Sequence, residues 1–142
     1  MKVIITITES ALPIARTIQR EWLDAEVVRM SDKTFLTEHW KELECVVFVG
    51  AMGICVRTIA PLLNDKYTDP AVVCVDSTGK YVIPVVSGHI GGANDYSKRI
   101  AAILGGEAII TTQSDNLGLW AIDTIAQKYG WQTEVDHTRM NL

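Results

Sequence analysis

The chain has 142 residues, 48% of them hydrophobic and 21% charged, with a formal net charge of −4. This apolar fraction excludes intrinsic disorder, and the length suits one domain. Apolar runs stay far shorter than the roughly 20 residues of a membrane-spanning helix. The 13 basic residues form no cluster and are outnumbered by 17 acidic ones, which argues against nucleic acid or a membrane as partner. No signal peptide is recognisable, so we expect a cytoplasmic protein.

The first half of the chain alternates strand and helix patterns. Residues 2–7 predict a buried strand, and Ser10 with Pro13 marks the start of an amphipathic helix. A short strand at 25–29 and a weak helix over 31–43 follow. The apolar run at 45–49 is typical of a strand covered on both faces. After it, the sequence predicts a helix whose apolar stripe consists of Val56, Ile59, Ala60 and Leu63.

The second half contains a hairpin, because the apolar runs 71–75 and 81–86 are joined by too few residues for a parallel crossover. Pro84 has no amide donor and favours an edge position or a bulge. A helix over 94–104, a strand over 108–111 and a last helix follow. These elements predict a three-layer α/β fold with a mostly parallel sheet, one antiparallel hairpin and helices on both faces. We assign the domain to residues 1–130 and interpret 131–142 as a polar tail or the start of a linker.

Three loops lie between a buried strand and a helix, where α/β sheets commonly bind ligands. Glycines let a backbone approach a ligand, and helix N-termini favour anionic oxygens. For one such loop alone a tight turn is the preferred interpretation, but three in one short domain favour a pocket. The residues expected to bind substrate are Gly50, Gly53 and Arg57 at the first loop, Ser87, Gly88, Gly91, Gly92 and Asn94 at the second, and Thr111 and Thr112 at the third.

His89 has the strongest claim to chemistry, because it stands among glycines in a strand-to-helix loop and titrates near neutral pH. A histidine that only hydrogen-bonds its loop fits the position equally well. Asp76 and Asp115 follow strands and can either orient a base or cap a turn, the commoner fate of such residues. Ser87 lacks the G-x-S-x-G context of a nucleophile, so a structural hydroxyl is the better interpretation.

Cofactor and metal motifs are missing from the sequence. The glycine spacings match neither G-x-G-x-x-G nor a Walker loop. The 3 histidines are dispersed, and no carboxylate cluster accompanies them, so we predict no metal site. Cys45, Cys55 and Cys74 are odd in number and lie among Val and Ile, which predicts buried reduced thiols.

Two stretches resemble a known family. Residues 50–63, continuing through 65–73, and the string Val86-Ser-Gly-His-Ile-Gly-Gly-Ala-Asn94 are similar to the N-terminal domain of CbiG, the cobalt-precorrin-5A hydrolase family of anaerobic cobalamin biosynthesis. The likeness extends through Ile110-Thr-Thr-Gln-Ser-Asp115 and covers roughly residues 1–130. It implies a cobalt tetrapyrrole substrate whose δ-lactone is opened by water, with release of acetaldehyde and contraction of the macrocycle.

The resemblance also implies roles and partners. His89 would transfer protons with Asp76 or Asp115 orienting it, while Arg57 and loop N–H groups would hold carboxylates or an oxyanion. No cofactor is expected, because the substrate carries the cobalt. The family usually continues into a C-terminal domain, so that domain or other corrin-pathway enzymes are the expected partners. The alternative is a non-catalytic module that binds a tetrapyrrole or docks onto a corrin-biosynthesis enzyme, and a flavin carrier ranks last.

Overall fold

A six-stranded sheet organises the computed structural model, which describes residues 1–31, 34–88 and 91–111. The strands are β1 (Lys2–Thr6), β2 (Ala25–Arg29), β3 (Cys45–Val49), β4 (Ala71–Val75), β5 (Tyr81–Val86) and β6 (Glu107–Ala108). The helices are α1 (Leu12–Glu21), α2 (Thr34–His39), α3 (Met52–Ile59) and α4 (Ala93–Leu104). Short 3-10 turns precede α1 and follow α2 and α3.

The strand order is β2-β1-β3-β4-β5-β6. The first four strands in this order are parallel to one another, β5 is antiparallel to β4, and β6 is parallel to β5. The predicted hairpin is therefore confirmed, and β5 and β6 run against the other four strands. We call the edge of the sheet where the four parallel strands end the carboxyl edge, and the edge where they begin the amino edge.

Two apolar layers cover the sheet, which confirms the three-layer fold. On one face Ile4 and Val47 pack with residues of α1 and α4, and on the other face Ile5 and Phe48 pack with residues of α2 and α3. Every residue of β3 and β4 is buried. The β-branched runs of these strands are thus explained by burial on both faces of the sheet.

Helix α3 presents a different face to the sheet from the one predicted. Its buried residues are Cys55, Thr58 and Ile59, and Thr58 is satisfied there by donating a 2.7 Å hydrogen bond from its hydroxyl to the Ile54 carbonyl oxygen. The helix is short and apolar on most sides, so the period alone does not select a face. The predicted stripe is wrong at its three other positions, because the structure leaves Val56, Ala60 and Leu63 exposed.

The hairpin accommodates Pro84 by an irregularity in pairing. Pro84 lies opposite Val73, and the register shifts between Val72 and Val73. Strand β5 is not the edge of the sheet, because β6 pairs with its first two residues, Tyr81 and Val82. The bulge is therefore the alternative that the structure adopts, since the missing amide of a proline interrupts a ladder.

The chain divides into two units, Met1–Ile109 and Ile110–Leu142, and all the strands and helices above belong to the first. In the second unit only residues 110 and 111 are described. The predicted last helix and the assignment of 131–142 to a tail therefore lie outside the described residues. The predicted strand over 108–111 is wrong in its bounds, because β6 comprises Glu107–Ala108 and pairs with only two residues of β5.

Candidate functional site

The first two predicted loops lie at opposite edges of the sheet. The Gly50 amide donates to the Val75 carbonyl oxygen at 2.9 Å, which places Gly50 at the carboxyl edge. Val86 pairs with Val72, so Ser87 follows β5 at the amino edge. Along β4, Val72 and Val75 mark the positions of these two loops. They are three residues apart, a distance of about 10 Å. The expectation that the glycine loops share one pocket is wrong for this pair, because the hairpin reverses the direction of β5.

Asp76 caps the turn between β4 and β5. Its carboxylate accepts hydrogen bonds from the backbone amides of Lys80 and Tyr81, both at 2.8 Å, and from the amide and hydroxyl of Thr78. Partial burial alone would raise the pKa of Asp76, but these bonds outweigh it and lower the pKa. The carboxylate oxygens of Asp76 are therefore occupied by hydrogen bonds within the turn. Asp76 lies at the carboxyl edge, and the loop that contains Ser87 lies at the amino edge.

The first predicted loop contributes Gly50, Gly53 and Arg57. The Gly50 carbonyl accepts a 3.3 Å hydrogen bond from the buried Cys74 thiol. Gly53 lies in the first turn of α3, and nothing would lie within 4 Å of a Cβ added there. Arg57 is exposed on α3 and already has an interaction within the chain. Gly50 and Gly53 thus lie at the start of α3 and Arg57 in its last turn, and packing does not require a glycine at position 53.

At the amino edge, the loop from Ser87 to Gly92 turns the chain from β5 into α4. Ser87 has a positive φ of 58°, the left-handed conformation that a residue with a Cβ adopts at a cost. Its carbonyl accepts the amide of Ala93 at 3.0 Å, and the Gly88 carbonyl accepts the amide of Asn94 at 2.9 Å. The loop is thus tied across its base to the first turn of α4, with strain held at its first residue.

Two glycines of this loop are required by close approach. A Cβ at Gly91 would lie 2.5 Å from the Ser87 Cβ and 2.9 Å from the Ser87 carbonyl oxygen. A Cβ at Gly88 would lie 2.8 Å from the Asn94 amide oxygen. Gly92 takes a φ of 86° before the helix begins. His89 lies between these glycines but is outside the described residues, as are Thr112 and Asp115 of the third loop. Thr111 is described and exposed.

Asn94 and Ser97 stand one helical turn apart on α4 and are 2% and 0% exposed. Neither the amide nitrogen and oxygen of Asn94 nor the hydroxyl of Ser97 has a hydrogen-bond partner within the described part of the chain. Leaving such a group buried and unsatisfied costs about 1–3 kcal/mol. Unused donors and acceptors beside a strained loop are a feature that functional sites show more often than simple turns.

Asp69 connects this loop to a cleft at the same edge. Its backbone carbonyl oxygen lies 3.4 Å from the Ser87 hydroxyl, which donates to it. Its carboxylate accepts the indole N–H of Trp40 at 3.1 Å and the amide of Asn64 at 3.0 and 2.9 Å. Sequence reasoning assigned no role to Asp69, although the stretch 65–73 was part of the family resemblance. The contacts could not be foreseen, because they join residues far apart in the chain.

A charged network lies at the amino edge on the opposite face. Lys2 Nζ contacts Asp24 at 2.7 Å and Glu44 at 3.0 Å. The Tyr96 hydroxyl donates to Glu44 at 3.0 Å. Hydrogen bonds to Asp24 and Glu44 raise the pKa of Lys2, and burial followed by the bond to Glu44 raises the pKa of Tyr96 to about 12. These groups satisfy one another and keep fixed charges at neutral pH, which suits a structural role.

The prediction of buried reduced thiols is confirmed. All three cysteines are free and buried, and burial raises the pKa of Cys45 to about 12. A hydrogen bond with Cys74, then burial, raises the pKa of Cys55. Among residues 1–31, 34–88 and 91–111, no group of three or more His, Cys, Asp or Glu side chains is placed to hold a metal ion. Nor does this part of the chain contain a helix long and apolar enough to cross a bilayer.

The fold and the amino-edge loop define a doubly wound α/β domain with a strained glycine turn before a long helix. The family model described as Cobalamin synthesis G N-terminal matches residues 34–115, which is more than half of the chain. The chain belongs to this family, CbiG_N. The matched region contains α2, α3, α4, the Asp69 loop and the glycine loop. The family resemblance is therefore confirmed.

Several relatives extend this finding. The chain is 49% identical over 81 residues to cobalt-precorrin-5A hydrolase of Salmonella typhimurium, a match that covers 57% of this chain and 23% of that protein. It is 34% identical over 149 residues to cobalt-precorrin-5A hydrolase of Priestia megaterium, covering 92% of this chain and 40% of that protein. A crystal structure of a cobalamin biosynthesis protein G homolog from Sulfolobus solfataricus superimposes with a TM-score of 0.70 at 34% identity, over 77% of this chain and 36% of that one. The chain thus spans well under half the length of these relatives.

Proposed function

We propose that the chain acts in cobalamin biosynthesis as the N-terminal domain of a cobalt-precorrin-5A hydrolase. The reaction is hydrolytic opening of the δ-lactone of cobalt-precorrin-5A with release of acetaldehyde. The observation that carries the proposal is the 49% identity over 81 residues to a protein of that name, and the family match over residues 34–115 includes the strained amino-edge loop. We place the reaction in the cytoplasm.

The proposed site is the loop from Ser87 to Gly92 with the first turn of α4. Water must lose a proton as it attacks the lactone carbonyl, which frees an alkoxide. The alkoxide then collapses to acetaldehyde with cleavage of a carbon–carbon bond, and the electron pair of that bond stays with the macrocycle carbon, which takes up the proton. We assign to His89 both the removal of the proton from water and its later delivery. The Ala93 and Asn94 amides are bonded to the Ser87 and Gly88 carbonyls, so we propose that the positive dipole end of α4 favours a substrate carboxylate or the oxyanion. These steps need only proton transfers, so we propose no cofactor, the cobalt being carried by the substrate.

The carboxyl-edge residues are left out of this site. Asp76 is engaged in the β4–β5 turn, Gly50 and Gly53 lie at the same edge where α3 begins, and Arg57, in the last turn of α3, already has an interaction within the chain. About 10 Å of strand separates that edge from Ser87. The proposal therefore keeps Ser87, Gly88, Gly91, Gly92 and Asn94 as the substrate loop.

Turnover of His89→Ala on cobalt-precorrin-5A tests the proposal. Acetaldehyde is measured by coupled reduction with alcohol dehydrogenase and NADH, with the chain alone and with the remainder of the Priestia protein supplied separately. We expect a loss of at least about 100-fold, the usual contribution of a general acid–base group. The control is His39→Gln, because His39 lies on α2 and pairs with Glu42 at 3.1 Å. Near wild-type turnover of His89→Ala would remove His89 from the mechanism.

A non-catalytic module is the second candidate, favoured by the engagement of Asp76, the one described candidate catalytic residue, in the β4–β5 turn. Such a module binds a tetrapyrrole or docks onto a corrin-biosynthesis enzyme. Titration with a cobalt corrinoid, followed by visible absorption, separates the two. Binding with no acetaldehyde release under any of the assay conditions supports the module, and release supports the hydrolase.

The proposed partner is the polypeptide that corresponds to the rest of the relatives' length. Helix α3 offers an apolar surface for it, since Ile54 and Val56 are 47% and 43% exposed. We propose that Val56→Glu weakens association with the remainder of the Priestia protein, measured by analytical ultracentrifugation. Glu21→Lys, a charge change at the end of α1 on the other face, is the control. Equal association of both variants would exclude this surface.

A further inference from the structure

A cleft of about 500 Å³ opens at the amino edge, next to the proposed catalytic loop. Its volume falls in the range of about 300–1,000 Å³ that is usual for small-molecule sites. Its walls include Trp40, Lys41, Leu62, Leu63, Thr68 and Asp69, none of which the sequence predicts as a site residue.

The cleft is physically continuous with the loop through Asp69. Its carboxylate holds the Trp40 indole at 3.1 Å and the Asn64 amide at 3.0 and 2.9 Å, and its carbonyl oxygen accepts the Ser87 hydroxyl at 3.4 Å. Because one residue bonds both to the cleft wall and to the first residue of the loop, a ligand in the cleft lies beside the loop. A ligand bound on the Asp69 side of the cleft is therefore adjacent to Ser87, the first residue of the loop.

The lining combines hydrocarbon with one available cation. Leu62 is half-buried and Leu63 is 40% exposed, so apolar surface faces the cleft. Lys41 is exposed and has no ion-pair partner among the described residues. The Asp69 carboxylate is the one acidic group in the lining, and its hydrogen bonds to two N–H groups occupy it. The charge that remains available in the cleft is therefore the positive charge of Lys41. This lining suits a ligand that carries a carboxylate group next to an apolar part.

We propose that this cleft binds one edge of the planar cobalt tetrapyrrole, with a carboxylate arm of the ring on Lys41 Nζ and the hydrocarbon of the ring edge against Leu63. This rests on the proposed function, which supplies the substrate class. The cleft holds an outer part of the ligand, and the loop after β5 faces the part that reacts. Lys41 and Leu63 are then specificity-determining residues that contribute to binding and take no part in proton transfer.

The test compares two corrin probes by equilibrium dialysis and visible absorption. Dicyanocobyrinic acid carries carboxylate arms, and dicyanocobinamide carries amides in their place. We expect Lys41→Gln to weaken binding of the carboxylate probe by about tenfold and of the amide probe by less than about twofold, the effect of one charge-assisted bond. Leu63→Ser should weaken both probes. Lys66→Gln is the matched control, because Lys66 is exposed, packs over the Tyr67 ring at 5.4 Å and lies outside the lining.

Three outcomes overturn the cleft proposal: equal affinity of Lys41→Gln and the wild type for the carboxylate probe, an equal loss in Lys66→Gln, or no binding of either probe by the wild type. Acetaldehyde release from cobalt-precorrin-5A, assayed in parallel, separates this from the proposed function. If acetaldehyde is released and the cleft variants bind the corrin probes as tightly as the wild type, the cleft proposal is refuted and the proposed hydrolase function stands. Absence of release by the wild type with the partner polypeptide refutes the hydrolase, while the probe affinities still decide whether the cleft binds a corrin.

Discussion

Replacing Asp76 with alanine should reduce stability and leave corrin binding and turnover intact. The carboxylate accepts the amides of Lys80 and Tyr81 at 2.8 Å and the amide of Thr78 at 3.3 Å, with a further bond from the Thr78 hydroxyl. Asp76→Ala removes all of these bonds. Because the residue lies at the carboxyl edge, about 10 Å of strand from Ser87, the change does not reach the proposed site.

The magnitude follows from these bonds. A net hydrogen bond contributes about 0.5–1.5 kcal/mol, and water replaces part of each lost bond at a solvent-accessible turn, so we expect about 2 kcal/mol in total. For a unit of this size that corresponds to a decrease in Tm of about 8 °C. The lowered pKa of Asp76 sets the pH dependence. A depressed carboxyl pKa stabilises the fold at neutral pH; the difference in stability between wild type and variant should begin to shrink below the ordinary carboxyl pKa of about 4 and vanish as the pH falls through the lower folded-state pKa.

Urea unfolding at pH 7 and pH 3.5, with Ser77→Ala as a control in the same turn, measures the effect. Binding of dicyanocobyrinic acid and acetaldehyde release are then compared well below both Tm values. A variant with normal Tm and lost turnover would refute the assignment of Asp76 to the turn and restore it as a partner of the catalytic base. A loss of stability that is the same at both pH values would refute the role of the ionised carboxylate.

Gly91→Ala should weaken corrin binding and lower stability, because the new Cβ would lie 2.5 Å from the Ser87 Cβ. Gly53→Ala is the comparison: its Cβ would lie in open space, so we expect urea unfolding to show a stabilisation of about 0.5–1 kcal/mol. A stable Gly91→Ala protein with normal affinity would contradict the close packing of the loop. Asn94→Leu should raise or preserve Tm while reducing turnover, since it removes buried polar atoms that have no partner among the described residues. Loss of both would show that the amide has a structural partner. Thiols such as Cys45, whose pKa burial raises to about 12, should not react with Ellman's reagent at pH 8 until the protein is unfolded, and rapid reaction of the native protein would contradict their burial.

Most of the sheet could be predicted from local pattern. Buried strands such as 45–49 and 71–75 carry runs of β-branched residues, which are typical of strands. The hairpin was predicted as well, and it already implies that the chain after Val86 emerges at the amino edge. Two features depend on tertiary packing and could not be predicted. The face of α3 that is buried is chosen by the sheet, since Cys55 and Val56 are comparably apolar, and the role of Asp69 arises from contacts with Trp40 that span 29 positions.

The two edges of the sheet differ in how fully their polar groups are satisfied. At the carboxyl edge, Asp76 fits its turn and lowers the free energy of the fold. At the amino edge, Ser87 takes a left-handed conformation, and the buried amide of Asn94 has no partner among the described residues. A sequence selected for stability alone would place glycine at 87 and an apolar residue at 94, because each change removes a cost of about 1 kcal/mol or more. The chain has neither residue. The loop therefore holds a geometry that stability does not require, which is the expectation for a loop that contacts substrate.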